Sequence, residues 1–235
     1  MHTEGAQPPG NRLDAIDSVS PGPSVTTPPA ARSFDVRHVQ LARALFAALA
    51  AVMVTFSSDH SAVVGSSVFS GFALATALVL VLSVWLVYPS GQRATPLVLA
   101  VVTGIAGLAA SIGAWRTTGF FFVLVIVWAV VSGAVEIIGA VRDRRAGRSA
   151  SLARDGLTIG VLTLILAVGF LLTSPGFSYD YSIEGAGTFT LTGITIAVGI
   201  FGGYAAIVAV YLAIAGFSPR RPEPVPAASA EEAAS

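Results

Sequence analysis

The sequence predicts an all-α integral membrane bundle: six transmembrane helices arranged as three parallel-repeat helical hairpins. Hydrophobic residues make up 54% of the 235-residue chain and charged residues only 11%, whereas a soluble domain carries roughly 25% charged residues. Too little polar surface remains to cover a water-facing globule of this size. The apolar residues are also gathered into runs that can cross a hydrocarbon core of about 30 Å at about 1.5 Å per residue. The hairpin repeat rests on a third observation: runs one, three and five begin near residues 39, 95 and 155, a period of roughly 56–60. The first and third of these share an arginine at their entry, ARALFAALAAV around Arg43 and ARDGLTIGVLT around Arg154. All three hairpins start on the same side, so the repeat is parallel, unlike the inverted repeats of many transporters.

In chain order, residues 1–37 are rich in Pro, Gly, Ser, Thr and Ala (QPPGNRLD, SVSPGPSVTTPPAA) and have no apolar period. Such a stretch cannot bury enough surface to offset chain entropy, and it reads as a disordered arm. It lacks the early apolar region of a cleaved signal peptide, so the first span is expected to act as an uncleaved signal anchor. The transmembrane domain, 38–217, contains the spans 38–56, 62–88, 95–115, 119–141, 155–173 and 189–217. The first is the weakest, because Arg43 interrupts it. The tail 218–235, SPRRPEPVPAASAEEAAS, reads as a second disordered arm.

Arginine placement sets the expected orientation. Arg12, Arg32 and Arg37 precede span one, Arg93 follows span two, Arg142, Arg144, Arg145 and Arg148 follow span four, and Arg220 and Arg221 follow span six. The opposite loops hold only Arg116, with Asp59, Asp180 and Glu184. By the positive-inside rule both termini are expected in the cytoplasm, in a multi-pass protein of the cytoplasmic (inner) membrane. Trp85, Tyr88 and Tyr211 near inner ends and Trp115 at an outer end suit interfacial anchors.

Several chemistries are excluded. With no cysteine there is no disulfide, thiol catalysis or Cys-ligated metal. The three histidines, His2, His38 and His60, stand far apart and form no helical pair. Walker A, GxSxG and HExxH are absent, as is a GxGxxG after a strand. No enzyme activity, cofactor, metal or nucleic-acid partner is expected.

One residue stands out in the stretch VVSGAVEIIGAVRDRR, 130–145: Glu136, inside the apolar part of span four. It lies five residues, roughly 8 Å, from the expected cytoplasmic end. Helical Cβ bonds tilt towards the N-terminus, which here points the carboxylate towards the bilayer middle. An unpaired charge at that depth is costly and rare. Glu136 therefore either pairs with an arginine and pins helix packing, exchanges protons in a response to acid, or sits neutral without a role. Arg43, about four residues inside span one, matches its depth and is the preferred partner; Arg154, at the mouth of span five, is the second.

Small residues at four-residue spacing mark helix-packing faces. Gly156–Gly160 and Gly199–Gly203 are GxxxG, and Ala129–Gly133, Ala100–Gly104 and Ser67–Gly71 are small-xxx-small. They serve packing within the monomer or a homo-oligomer interface, for which span six is the best candidate. The loop FSYDYSIEGAGT reads as a solvated outer loop, His60 beside Asp59 as an incidental exposed histidine, and RDRRAGR as a topology signal able to meet anionic headgroups.

The segment WAVVSGAVEIIGAVRDRRAGRSASLARDGLTIGVLTLILAVGFLLTSPG, 128–176, resembles the HdeD-like membrane proteins. The resemblance lies in a Trp, a Gly five residues on, an acidic–Ile pair, an Ala and an Arg closing one helix. After a short basic loop follows a helix with spaced glycines ending in Pro. This is a short-repeat family of unknown biochemistry whose best-known member supports acid resistance in enteric bacteria. The resemblance covers about fifty residues and implies six helices, cytoplasmic termini and three hairpins. It also implies a non-enzymatic contribution to acid or envelope stress resistance, through the bilayer or an unidentified membrane partner. The chain departs from the family in its longer loop 174–188 and its two arms, and no catalytic residue is carried over. The alternative reading is a small proton-coupled transporter or channel using Glu136.

Overall fold

The computed structural model describes residues 34–185 and 187–218. The expected arms lie outside the described residues, apart from the few that border the first and last helices. The described chain forms six long helices and one β-hairpin: α1 (Val36–Phe56), α2 (Ala62–Leu86), α3 (Ala94–Ser111), α4 (Thr118–Arg145), α5 (Ala150–Leu172), β1 (Ser178–Ile183), β2 (Gly187–Thr192) and α6 (Gly193–Phe217). All six helices are long and apolar enough to cross a membrane, as a multi-pass protein in a lipid bilayer requires.

Local chemistry fixes the helix starts. Asp35 and His38 form a reciprocal capping box on α1, while Ser61, Thr117 and Thr192 accept hydrogen bonds from first-turn amides of α2, α4 and α6. Helix ends differ from the apolar runs where polar residues continue the spiral. α4 runs on to Arg145 and α5 begins at Ala150, four residues beyond and five before the expected bounds. Hydropathy marks the part of a helix that suits lipid, whereas its hydrogen-bond ladder can continue into the headgroup layer. At the other extreme, α3 stops at Ser111 and a 3-10 turn, Gly113–Trp115, replaces the last turn expected of span three.

The helices close into a ring in which tight and loose seams alternate. α1 packs most extensively on α6, α2 on α3 and α4 on α5, whereas α1·α2, α3·α4 and α5·α6 are looser. This alternation with a period of two helices is what a threefold two-helix repeat produces. The tight seams, however, join neighbouring hairpins rather than the two arms of one hairpin. Burial follows the same period: 56, 44 and 50% of the spanning windows of α2, α4 and α6 are buried, against 39, 39 and 33% for α1, α3 and α5. The even-numbered helices thus supply most of the centre, with Phe69 and Phe72 from α2, Phe121, Phe122 and Trp128 from α4, and Phe201 from α6.

The segment expected to begin span six is instead a strand. Residues 189–192 belong to β2, which pairs antiparallel with β1 in the register Tyr179↔Leu191, Tyr181↔Phe189 and Ile183↔Gly187. The reason is visible in GTFTLT: β-branched residues alternate with apolar ones at period two, which suits a strand. Gly185 and Gly187, at φ of 79° and 97°, take the left-handed backbone needed to reverse the chain. Tyr179, Tyr181, Ile183, Phe189 and Leu191 share one face of the hairpin, where Tyr181 stacks on Phe189 at 5.8 Å. Ser178, Asp180, Ser182, Thr188, Thr190 and Thr192 occupy the other, with Thr190 donating to Asp180 at 2.6 Å.

Candidate functional site: a polar axis inside the bundle

Polar side chains from all six helices meet near the bundle axis. At the arginine-rich end, where α4 finishes and α5 begins, a cleft of about 120 Å³ opens between the helices and narrows inwards. Arg43 and Glu136 stand at its inner end, and Arg43 Nη2 donates to Glu136 Oε1 at 2.7 Å. The side chains are 19% and 8% exposed, so the pair is largely withdrawn from solvent. α1 and α4 are not neighbours in the ring, so this bond ties opposite sides of the bundle across the axis. Arg154 lies on the second turn of α5 with its side chain exposed and makes no ion pair among the described residues.

One turn nearer the mouth lies a network that hydropathy reading missed. Gln40 Nε2 donates to Asp155 Oδ2 at 2.9 Å, and Tyr211 Oη donates to Asp155 Oδ1 at 3.0 Å. Asp155 therefore ties α1, α5 and α6 together. Tyr211, expected as an interfacial anchor, is half-buried against this carboxylate. The carboxylate accepts but cannot donate, so it fixes the orientation of the Gln40 amide. The available signal was spacing: Gln40 precedes Arg43 by three residues and so shares its helix face.

Inward of Arg43 and Glu136 is a chamber of about 20 Å³, room for a single water. Its walls carry hydroxyls from α2, α3, α4, α5 and α6: Thr76, Thr103, Ser132, Thr163 and Tyr204. Thr163 and Tyr204 are hydrogen-bonded at 2.9 Å, and Trp128 Nε1 donates to Thr103 Oγ1 at 3.2 Å. Thr76 Oγ1 and Ser132 Oγ are buried and bond to no group among the described residues. Beyond the chamber the axis is filled by aromatic rings. Phe69 and Phe72 meet Trp128 edge-on at 5.1 and 6.0 Å, and both meet Phe201 at 5.5 and 5.7 Å. The polar axis is therefore open at one end and closed by packed rings at the other.

The glycines expected at packing faces divide into two groups. Gly133 and Gly160 face each other across the α4·α5 seam, where a Cβ on either would come within 2.9 Å of the other's carbonyl oxygen. Gly156 lies one turn along the same seam and has room for a methyl group, 3.4 Å from Ala140 Cβ. Gly199 and Gly203 correct the expectation for packing within the monomer: nothing lies within 4 Å of a Cβ at either, and both face outwards. The close approach of α6 to α1 is made by Gly202, where a Cβ would stand 2.6 Å from Val54 Cγ1, and by Gly216 against Leu41. In GIFGG the inward glycine is set by the helix face, which the GxxxG pattern does not reveal.

Among the described residues there is no group of three or more His, Cys, Asp or Glu side chains able to hold a metal ion. The arrangement can hold charge and a small polar species in apolar surroundings. No protein-family model, curated protein or solved structure matches this chain.

Proposed function

We propose that this chain is a non-enzymatic membrane protein of the HdeD-like kind that helps the cell envelope withstand acid or related stress. The supporting observation is the threefold alternation of tight and loose seams, the packing that a short-repeat six-helix layout implies. On this reading the Arg43–Glu136 bond is a central clamp that keeps the ring closed, and the protein acts on the bilayer or a partner through its outer surface. The outward glycines Gly199 and Gly203 leave α6 a flat face on which a second copy could pack. A strain lacking the gene is expected to survive low pH less well than its parent, with rescue by the intact gene. Equal survival of the two strains counts against the reading.

The positive-inside rule places the arginine-rich end, and with it both termini, in the cytoplasm. Because the chain has no cysteine, a single introduced thiol reports topology directly. Ser178→Cys, at the exposed start of β1, is expected to react with a membrane-impermeant maleimide added outside intact cells. Labelling only from the cytoplasmic side reverses the orientation.

A transporter or channel reading has one observation in its favour: the cleft that leads from the arginine-rich end to Glu136. The aromatic floor argues against it, since a conduit needs a second opening. Liposomes loaded with a pH-sensitive dye decide between the two. The clamp reading expects no proton flux above protein-free liposomes, whereas flux abolished by Glu136→Gln establishes transport.

A further inference from the structure

A groove of about 600 Å³ runs along the outside of the α4·α5 seam at the arginine-rich end. Its upper walls are Arg144 from the last turn of α4 and Arg154 from the second turn of α5. Both side chains are exposed, and neither forms an ion pair among the described residues. The nearby carboxylates are otherwise engaged: Asp143 is bridged by Arg148, and Asp155 accepts from Gln40 and Tyr211 on the axial side of α5. The groove therefore carries two guanidinium groups at its rim, neither bonded to a carboxylate among the described residues.

Apart from these arginines the lining is largely apolar, with Val141 and Leu157 beside the buried small residues Ala140 and Ala153. Further along α5, Val161 and Ile165 continue as exposed apolar residues at four-residue spacing. Charge at the rim and hydrocarbon below is the profile of a lipid seen end-on. Guanidinium groups pair with phosphate oxygens in planar geometry, and basic pockets between transmembrane helices at a membrane face bind anionic headgroups. The amino-terminal turn of α5, whose Ser149 makes no capping hydrogen bond, opens onto the same groove and adds the positive end of its dipole.

We propose that this groove binds an anionic phospholipid, with its phosphate held between Arg144 and Arg154 and an acyl chain laid along the α4·α5 seam. The site does not depend on the function proposed above, nor on which membrane face the groove occupies.

The test uses the full chain purified in a neutral detergent. Phosphatidylglycerol or cardiolipin is expected to raise its melting temperature saturably, by on the order of 2–4 °C more than phosphatidylcholine of the same chain length. The difference should vanish in the R144Q/R154Q double variant and persist in R142Q, which alters an arginine of the same helix outside the groove. Native mass spectrometry of the wild-type protein should show one anionic lipid retained in preference to phosphatidylcholine, a reading that holds even if the double variant folds poorly. Equal shifts with both lipid classes, or a difference that survives in R144Q/R154Q, overturn the proposal. An equal shift with inorganic phosphate assigns the site to a free anion and overturns the lipid.

Discussion

Replacing Glu136 by Gln is expected to lower the melting temperature of the purified protein by on the order of 10 °C. The substitution leaves the Arg43 guanidinium in the bundle without its 2.7 Å partner, and breaking a buried pair on one side costs about 3–5 kcal/mol. Arg43→Gln is expected to cost less. A guanidinium cannot lose its charge, so a stranded Arg43 is the costlier of the two. Making both positions apolar, as in R43M/E136M, should recover much of the loss, because no charge then remains to be solvated. Thermal unfolding of the four proteins in one detergent reads this ordering. Identical melting temperatures would mean that the bond contributes nothing to holding α1 against α4.

The second large effect concerns glycines that the sequence presents as equivalent. Gly160→Ala places a methyl group 2.7 Å from Ile137 Cγ1, 2.9 Å from the Gly133 carbonyl oxygen and 3.1 Å from the Ile137 amide nitrogen. Two of these three atoms are backbone, so the seam must open for the methyl to fit. Overpacking of this kind costs about 1–3 kcal/mol. Gly199→Ala and Gly203→Ala place their methyl groups in open space. They should be neutral or stabilising by up to about 1 kcal/mol, since alanine is the better helix former. The same thermal assay checks the contrast, and the prediction fails if Gly160→Ala melts as high as Gly199→Ala.

These contrasts mark how far the letters reach. The six spans and the helix class follow from where apolar residues cluster, because lipid imposes that clustering on any chain that crosses it. The proximity of Arg43 and Glu136 was readable from matched depth, since two opposite charges at one level of a small bundle have few other partners. Depth alone did not reveal the role of Asp155, because as the first residue of span five it sits at the membrane edge, where a carboxylate needs no partner. The β-hairpin was hidden for a related reason: Phe189 and Leu191 extend the apolar run of span six, and only the alternating threonines distinguish strand from helix. Which glycine of GIFGG turns inwards depends on helix rotation, and that is fixed by the partner helix rather than by the motif. The aromatic floor was unreadable as a unit, since its rings come from three helices, α2, α4 and α6, that are not consecutive in the chain.

The seam between α6 and α1 is as extensive as the one between α4 and α5, which a four-residue connection joins. At the α6·α1 seam no loop holds the partners together; Gly202 and Gly216 let the backbones close by contact alone. Topologically the bundle is a necklace with one clasp, and the clasp is as extensive as the broadest of the links. Cutting the necklace at a loose seam, in the loop between α3 and α4, and tying Ser218 back to Phe34 would yield the same ring with a new first helix. Which helix comes first is then a matter of genetic order, and the architecture belongs to the circle rather than to the line.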